Sequence, residues 1–295
     1  MDSFTPDNCF LDSKSDANMI DEVSNVLAKF ILGESQCHKI RLRFSDLKEN
    51  FGAVTFDDII DGSKLPIWKF SSGVTPFKDY DDTTSVPIPI KHPLFKDISH
   101  KALISLDFPV WFNLLNSSKV VMIVAQDPMP RDREAYEGCD DAICSTTFGL
   151  HSITWRNKHN GGKRLWLLVL SLINKGYGVY ITDSYKYYIQ SRDGKYISPS
   201  EEYISSYRSS LVSEITIVEP SIIVSFGNRA ASLLENLQLD ETIPPRIINL
   251  PHFSGNAQDA IKKFFDFPHD KRFSIEDQAE QFAHYIINQI PKIRR

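Results

Sequence analysis

The feature that most constrains the fold of this chain is the regular alternation, beyond residue 100, of short apolar runs with longer helical segments. Four runs have the length of β-strands, and they span residues 120–124, 179–182, 222–226 and 246–250. All but the last are nearly continuous in apolar residues, as expected of parallel strands that are buried on both faces. We therefore predict an α/β fold, a three-layer sandwich with a central parallel sheet of about four strands and helices on both faces.

Three helices are predicted around these strands. Residues 163–174 have apolar side chains at helical spacing and stop before Gly176. Ser198 precedes a proline and, three residues on, a glutamate, which predicts that it caps a second helix. Ser274 is predicted to open a terminal amphipathic helix that runs to about Gln289.

A proline-rich stretch at residues 86–93 is predicted to be extended and to mark a domain boundary. Residues 1–85 are predicted to form an acidic accessory region that is partly helical, and residues 86–295 the α/β domain. The acidity is visible in residues 1–80, which contain 9 Lys and Arg against 13 Asp and Glu. No motif in the accessory region indicates chemistry.

Composition excludes several classes of protein. The net charge of −5 argues against broad non-specific binding to nucleic acid, because neutralising phosphates requires clustered cations. The four cysteines show no paired Cys-x-x-Cys spacing, so we expect no disulfide framework, no metal site and no cofactor. No apolar run approaches the roughly 20 residues of a membrane span, and the first residues lack the pattern of a signal peptide. We therefore expect an intracellular monomer, cytoplasmic if the protein is bacterial, with no membrane contact.

Polar side chains follow the predicted strands at the points where the strands end. Gln126 and Asp127 come after the first, Asp183 and Lys186 after the second, and His252 after the fourth. In open parallel sheets, ligands bind in the crevice outside the carboxyl ends of the strands. Two carboxyl groups and a histidine are therefore predicted to meet in one crevice.

These segments resemble the motifs of a known family. Residues 124–128 (Val-Ala-Gln-Asp-Pro) resemble the Gly-Gln-Asp-Pro motif of uracil-DNA glycosylases. Residues 251–256 (Pro-His-Phe-Ser-Gly-Asn) resemble the second loop of the family, which reads His-Pro-Ser followed by small or polar residues. Residues 179–186 resemble the base-reading segment of the thermophile-type branch. The resemblance covers roughly residues 115–290, in the correct order.

The resemblance implies a DNA glycosylase of base-excision repair, a hydrolase that flips a damaged or deaminated base, uracil or a related one, out of single- or double-stranded DNA into a pocket. Asp127 would then orient the attacking water, and His252 would hydrogen-bond the base oxygen that gains charge. Phe148 would stack on the base, and Gln126 would close the pocket floor. Four further residues are candidate DNA contacts: Ser254, Asn256, Lys186 and Arg131, the last in a charged loop that equally suits a solvated lid.

Two positions depart from the family pattern. Asp183 stands where the family has an asparagine that reads the edge of uracil. An ionised carboxylate only accepts hydrogen bonds, so Asp183 suits a base with an amino donor, or must be protonated to read uracil. Met129 stands where the commonest branch has a tyrosine that blocks the methyl group of thymine. A methionine side chain is a softer and more adaptable lining for the pocket than a tyrosine ring.

Each assignment has a structural alternative. Asp127, which precedes a proline, also suits the start of a turn. His252 also suits a loop residue that is hydrogen-bonded to backbone, and Phe148 also suits a residue of the apolar core. Asp183 also suits a residue that caps the next segment of the chain, and Lys186 also suits a solvated charge on the surface. The basic stretch at residues 155–164 suits a phosphate-binding loop or an exposed loop equally.

Two other functions fit the same fold. One is a hydrolase of free nucleosides or nucleotides, and the other is a non-catalytic protein that binds nucleic acid or a protein partner. The dependence of binding on salt separates DNA from a small ligand, because only DNA binding weakens steeply as salt rises.

Overall fold

The computed structural model describes a large part of the chain beyond residue 102. The described residues are 103–107, 109–112, 117–129, 142–145, 147–150, 159–191, 194–199, 201–239, 245–254, 257–267 and 273–290. The predicted accessory region and the predicted boundary at residues 86–93 lie outside them. None of the helices in these ranges is long and apolar enough to cross a membrane.

Eight strands and five α-helices succeed one another along the described residues. In chain order they are β1 (Leu103–Asp107), β2 (Val110–Phe112), β3 (Val120–Ala125), β4 (Ala142–Ser145), α1 (Asn160–Asn174), β5 (Gly178–Asp183), β6 (Tyr187–Gln190), α2 (Glu201–Val218), β7 (Ile222–Phe226), α3 (Asn228–Glu235), β8 (Arg246–Leu250), α4 (Gln258–Phe264) and α5 (Ile275–Gln289). A short 3₁₀ turn, Thr147–Gly149, lies between β4 and α1.

The central sheet has the order β2-β5-β3-β7-β8, and its last four strands are parallel. These four are the predicted strands, and helices cover both faces, so the predicted three-layer α/β fold is confirmed. Strands β5 and β7 are buried along their whole length, whereas β8 alternates between exposed and buried residues. Its position at the edge of the sheet explains why the fourth run is less apolar than the others.

Two features of the sheets were not predicted. Strand β2 pairs antiparallel with β5 and extends the central sheet at the opposite edge. Strands β4, β1 and β6 form a second, three-stranded sheet, in which β1 runs parallel to β4 and antiparallel to β6. These additional strands are three to five residues long.

All three predicted helices are present among the described residues. Helix α1 begins at Asn160, three residues before the predicted start, and ends at Asn174 as predicted. Helix α2 is described from Glu201, and because residue 200 lies outside the described residues, the predicted cap at Ser198 stays a prediction. Helix α5 starts and ends where predicted.

The start of α5 is fixed by a reciprocal capping box. The Ser274 hydroxyl accepts from the Asp277 backbone N–H at 3.0 Å, and the Asp277 carboxylate accepts from the Ser274 N–H at 3.2 Å. We expect Ser274→Ala to lower the free energy of unfolding by about 1 kcal/mol, because the Asp277 N–H loses its acceptor. Urea denaturation measures the loss. Ser213→Ala inside α2 is the control, and equal losses in both variants would contradict a capping role for Ser274.

The order of the strands places a crevice at the end of β3. This strand lies between β5 and β7, and the chain crosses to opposite sides of it in reaching them. Such a reversal of strand order is the switch point at which α/β sheets bind ligands, outside the carboxyl ends of the strands. The residues that follow β3, β5 and β8 are therefore brought to one place.

Candidate active site

A pocket of about 440 Å³ lies at this switch point. Seven residues that the sequence singled out line it: Gln126, Asp127, Met129, Phe148, Asp183, His252 and Ser254. Four further lining residues had no assigned role: Ala125, Tyr188, Tyr196 and Arg229. The pocket therefore brings together the two carboxyl groups and the histidine, as predicted from the strand ends.

Asp127 is held in a tight turn directly after β3. The Met129 N–H donates to the Asp127 carbonyl at 2.8 Å, which makes Pro128 the centre of a three-residue turn. The Gln126 side-chain amide donates to the Asp127 carboxylate at 2.6 Å. Asp127 thus starts a turn, as one alternative held, and also presents a half-buried carboxylate to the pocket.

The Asp127 turn is tied to the loop that follows β5. The Ser184 N–H donates to the Ala125 carbonyl at 2.8 Å, and the Tyr185 N–H donates to the Gln126 carbonyl at 2.9 Å. These two bonds continue the pairing of β3 with β5 past the ends of the strands. The backbone that carries Asp127 is therefore fixed relative to the backbone that carries Asp183.

The hydrogen bonds of His252 define its tautomer. The Ser254 backbone N–H donates to His252 Nδ1 at 3.1 Å, so this ring nitrogen is unprotonated and the proton of the neutral ring is on Nε2. His252 is bonded to backbone, as the alternative held, but its ring also lines the pocket. A neutral imidazole in this tautomer is a hydrogen-bond donor.

Gly227 makes room for the His252 ring. It has a φ of 91°, in the left-handed region that favours glycine. A Cβ atom built on Gly227 would lie 3.2 Å from His252 Cδ2. The glycine after β7 therefore serves both the turn into α3 and the position of the histidine.

Phe148 belongs to the core and to the pocket at once. It is buried and lies next to His252 and Phe253, with ring-centroid distances of 5.0 and 6.0 Å. Its φ of 52° and ψ of 20° are unusual for a residue with a side chain, and such backbone conformations cluster at functional sites. Both interpretations of this residue therefore describe its position.

Arg164 supports the His252 loop from behind. Its side chain is buried and donates to the Phe253 carbonyl at 2.5 Å and to the Gln278 side chain at 2.9 Å. Burial lowers the pKa of Arg164 to about 10, which leaves it protonated at neutral pH. The interpretation of residues 155–164 as a phosphate-binding loop is thus wrong for this residue, and Lys163 is paired with Glu276 at 2.6 Å.

Asp183 is fully buried at the pocket wall. Burial raises its pKa well above the ordinary value, and the charges of Asp107 and Asp127 raise it further. The Lys186 ammonium and the Thr147 hydroxyl act in the opposite direction. No backbone N–H of the described residues donates to the Asp183 carboxyl group, so Asp183 caps none of them.

The interpretations of Lys186 as a DNA contact and as a solvated charge are both wrong. Its side chain is 1% exposed, and the ammonium lies 2.7 Å from Asp107, 2.6 Å from Glu214 and 2.6 Å from the Thr182 hydroxyl. Glu214 also accepts from the Tyr180 hydroxyl at 2.9 Å. Lys186 therefore joins β1, β5 and α2 inside the protein.

Sequence reasoning missed three side chains of the pocket. Arg229 follows β7, so the strand-end rule points to it, and its guanidinium lies 5.5 Å from the Tyr196 ring centroid. Tyr188 and Tyr196 carry no signal in the sequence, because they come from β6 and the segment that pairs with it through the bridge of Gln190 and Tyr196. Burial and the Asp127 charge raise the pKa of Tyr196 to about 12.

Two candidate DNA contacts, Arg131 and Asn256, lie outside the described residues. Ser254 is half-buried at the pocket, and its role in DNA binding stays a prediction. Within the described ranges, no group of three or more His, Cys, Asp or Glu side chains is arranged to hold a metal ion.

The fold and the pocket define an α/β protein with a pocket at the carboxyl ends of its parallel strands. The family profile of the Uracil DNA glycosylase superfamily matches residues 112–273, which is more than half of the chain. The chain therefore belongs to the uracil-DNA glycosylase superfamily. A search of curated proteins finds no significant match.

Proposed function

We propose that the protein is a DNA N-glycosylase that removes a flipped base by hydrolysis. The observation that carries the proposal is that Asp127, Phe148 and His252 line one pocket at the switch point of the sheet. The volume of about 440 Å³ is of the size of small-ligand sites, which are commonly 300–1,000 Å³. Membership of the superfamily supports the reaction class.

The reaction divides among these side chains by their chemistry. The base stacks on Phe148, a flat apolar ring. The bond between the base nitrogen and C1′ breaks, and its electron pair leaves with the base. The Asp127 carboxylate stabilises the cationic sugar and orients a water, whose oxygen bonds to C1′ while its proton passes to the carboxylate. The Nε2–H of His252 donates to the base oxygen that becomes negative.

The proposal is tested with end-labelled oligonucleotides, single- and double-stranded, that contain uracil, hypoxanthine, xanthine or cytosine. Abasic sites, revealed by alkaline strand cleavage, are expected with at least one of these bases. Release of base from free deoxynucleosides but not from DNA would favour the free-nucleoside hydrolase instead. Binding of the oligonucleotides with no base release would favour a non-catalytic protein.

Arg229 is the DNA contact that the pocket itself suggests. It is an exposed cation on the pocket wall, at the start of α3, where a phosphate next to the flipped base would pass. We expect Arg229→Gln to weaken oligonucleotide binding and to lower the slope of log affinity against log salt by about one. Fluorescence anisotropy over a salt series measures both. Lys263→Gln, on the exposed side of α4, is the control, and an unchanged slope for Arg229→Gln would contradict the contact.

A further inference from the structure

A buried guanidinium without a counter-charge lies behind the pocket. The Arg164 side chain is fully buried, and it donates hydrogen bonds to two neutral oxygens, the Phe253 carbonyl at 2.5 Å and the Gln278 side-chain oxygen at 2.9 Å. Among the described residues no carboxylate pairs with Arg164, and its Nη2 group has no hydrogen-bond partner. Because burying a charge without an opposite charge is costly, proteins rarely do so. The position of this cation therefore needs a functional reason.

A single peptide unit connects Arg164 to His252. The carbonyl oxygen of this unit belongs to Phe253 and accepts from the guanidinium, while its N–H belongs to Ser254 and donates to His252 Nδ1 at 3.1 Å. The peptide is a planar conjugated group, so a cation at the oxygen withdraws electron density from the nitrogen and makes the N–H a stronger donor. Guanidinium, peptide and imidazole thus form one hydrogen-bonded chain.

This chain favours one protonation state of the His252 ring. A proton on Nδ1 would oppose the Ser254 N–H instead of accepting from it. It would also place a second positive charge one peptide unit from the Arg164 guanidinium. Both effects disfavour an imidazolium. The ring is therefore held neutral, and the bond at Nδ1 makes the Nε2–H a better donor.

Close packing keeps this peptide unit in place. Gly161 lies in the first turn of α1, and a Cβ atom built on it would lie 3.2 Å from the Phe253 carbonyl oxygen and 3.4 Å from Phe148 Cδ1. The Phe253 ring is fully buried, with its centroid 4.0 Å from that of Phe226. The peptide unit is thus enclosed beside the Phe148 ring, which lines the pocket, and Arg164 lies directly behind this layer.

We infer that Arg164 is a positioning residue for base release, which acts through the Phe253–Ser254 peptide to hold His252 as a neutral Nε2–H donor. Its positive charge lies behind the part of the pocket where the departing base becomes negative, so a carboxylate partner there would oppose the reaction. A neutral His252 also leaves the charge of Asp127 available to a cationic sugar. The contribution to base release rests on the proposed glycosylase function, whereas the effect on His252 does not.

Other ionisable side chains share the pocket with His252 among the described residues: Asp127, Asp183, Tyr188, Tyr196 and Arg229. When ionised, the two carboxyl groups favour a cationic His252 ring, whereas the guanidinium on the pocket wall disfavours it. These groups are the same in every variant of Arg164. A difference between those variants therefore reports on Arg164 itself.

The experiment follows the His252 ring by NMR in wild type, Arg164→Met, Arg164→Lys and Lys163→Met. The chain has eight histidines, so the signals of His252 are assigned by their loss in His252→Gln. The ¹⁵N chemical shifts of the two ring nitrogens report the tautomer, and their change with pH reports protonation. Lys163→Met is the matched control, because Lys163 is the neighbouring cation on α1 but pairs with Glu276 at 2.6 Å.

Wild-type His252 is expected to be neutral at pH 7, with its proton on Nε2. Arg164→Met is expected to raise the pH at which the ring protonates by about one unit, because it removes a charge that lies one peptide unit away. Arg164→Lys keeps a cation that can donate to the Phe253 carbonyl, so it is expected to stay close to wild type, as is Lys163→Met.

Two results would overturn the inference. The first is an unchanged protonation midpoint in folded Arg164→Met, or an equal shift in Lys163→Met, since a purely structural role of Arg164 predicts no specific effect on the ring. The second is an imidazolium, or a proton on Nδ1, in wild type at pH 7. This second result requires no variant, so it decides the question even if Arg164→Met does not fold.

Single-turnover base release in the same proteins separates the inference from the proposed function. Arg164→Met is expected to release base about tenfold more slowly than wild type, a smaller loss than that of a donor which contacts the substrate directly. Base release with an unchanged His252 titration in Arg164→Met would retain the glycosylase and overturn the role of Arg164. A shifted titration, with no base released by wild type, would overturn the glycosylase and retain the link between Arg164 and His252.

Discussion

Asp127→Asn is expected to lower the rate of base release by about 10²–10⁴-fold, the range that positioned proton-transfer groups contribute. The amide neither takes the proton of the attacking water nor stabilises a cationic sugar. The backbone bond from Met129 to residue 127 does not involve the side chain, and the Gln126 amide can still donate to the asparagine oxygen. Single-turnover release of base from an oligonucleotide measures the effect, and anisotropy measures binding.

This substitution separates the two interpretations of Asp127. An asparagine preserves the turn, so a purely structural role predicts an unchanged rate. Asp259→Asn provides the matched control on the surface. A rate for Asp127→Asn within threefold of wild type, with normal binding, would show that Asp127 only shapes the turn.

Lys186→Met is expected to cause the largest loss of stability among single substitutions considered for this protein, about 3–5 kcal/mol in the free energy of unfolding. Removing the ammonium leaves the carboxylates of Asp107 and Glu214 buried without their cation. Urea denaturation at neutral pH measures the loss. The matched control is Lys175→Met, which removes a partly exposed pair with Glu280 and is expected to cost less than about 1 kcal/mol.

The identity of the destabilising group can be tested in the same series. If unpaired negative charge causes the loss, adding Glu214→Gln to Lys186→Met should restore part of the stability, because one buried charge is removed. If the double variant is no more stable than Lys186→Met alone, lost packing of the lysine stem explains the effect instead, and the electrostatic account is wrong.

The central sheet and the place of the pocket could both be predicted from the sequence, because both follow from the apolar runs that form buried parallel strands. Buried parallel strands need unbroken apolar runs, and β5 and β7 display them along their length. The strand-end rule then identifies Asp127, Asp183 and His252 without knowledge of how the chain folds. The second sheet was missed because its strands are short and obtain their stability from pairing with distant segments, such as β1 with β6.

Charged residues were the hardest to place from sequence. Lys186 and Arg164 were interpreted as surface or phosphate-binding groups, because a lone charge is usually solvated. Their partners are remote in sequence: Asp107 lies 79 positions from Lys186, and Gln278 lies 114 positions from Arg164. No local pattern reveals that such a charge is paired inside the protein, so only the tertiary structure shows it.

The pocket has walls of two different origins. Asp127, Asp183 and His252 are held by the central sheet, whereas Tyr188 and Tyr196 come from β6 and the segment bridged to it. The polar groups at the strand ends and the tyrosine wall of the pocket thus belong to separate parts of the molecule. Substitutions in the tyrosine wall can change the shape of the pocket without moving Asp127, Asp183 or His252, so the selectivity for a ligand can change while the polar groups on the central sheet are preserved.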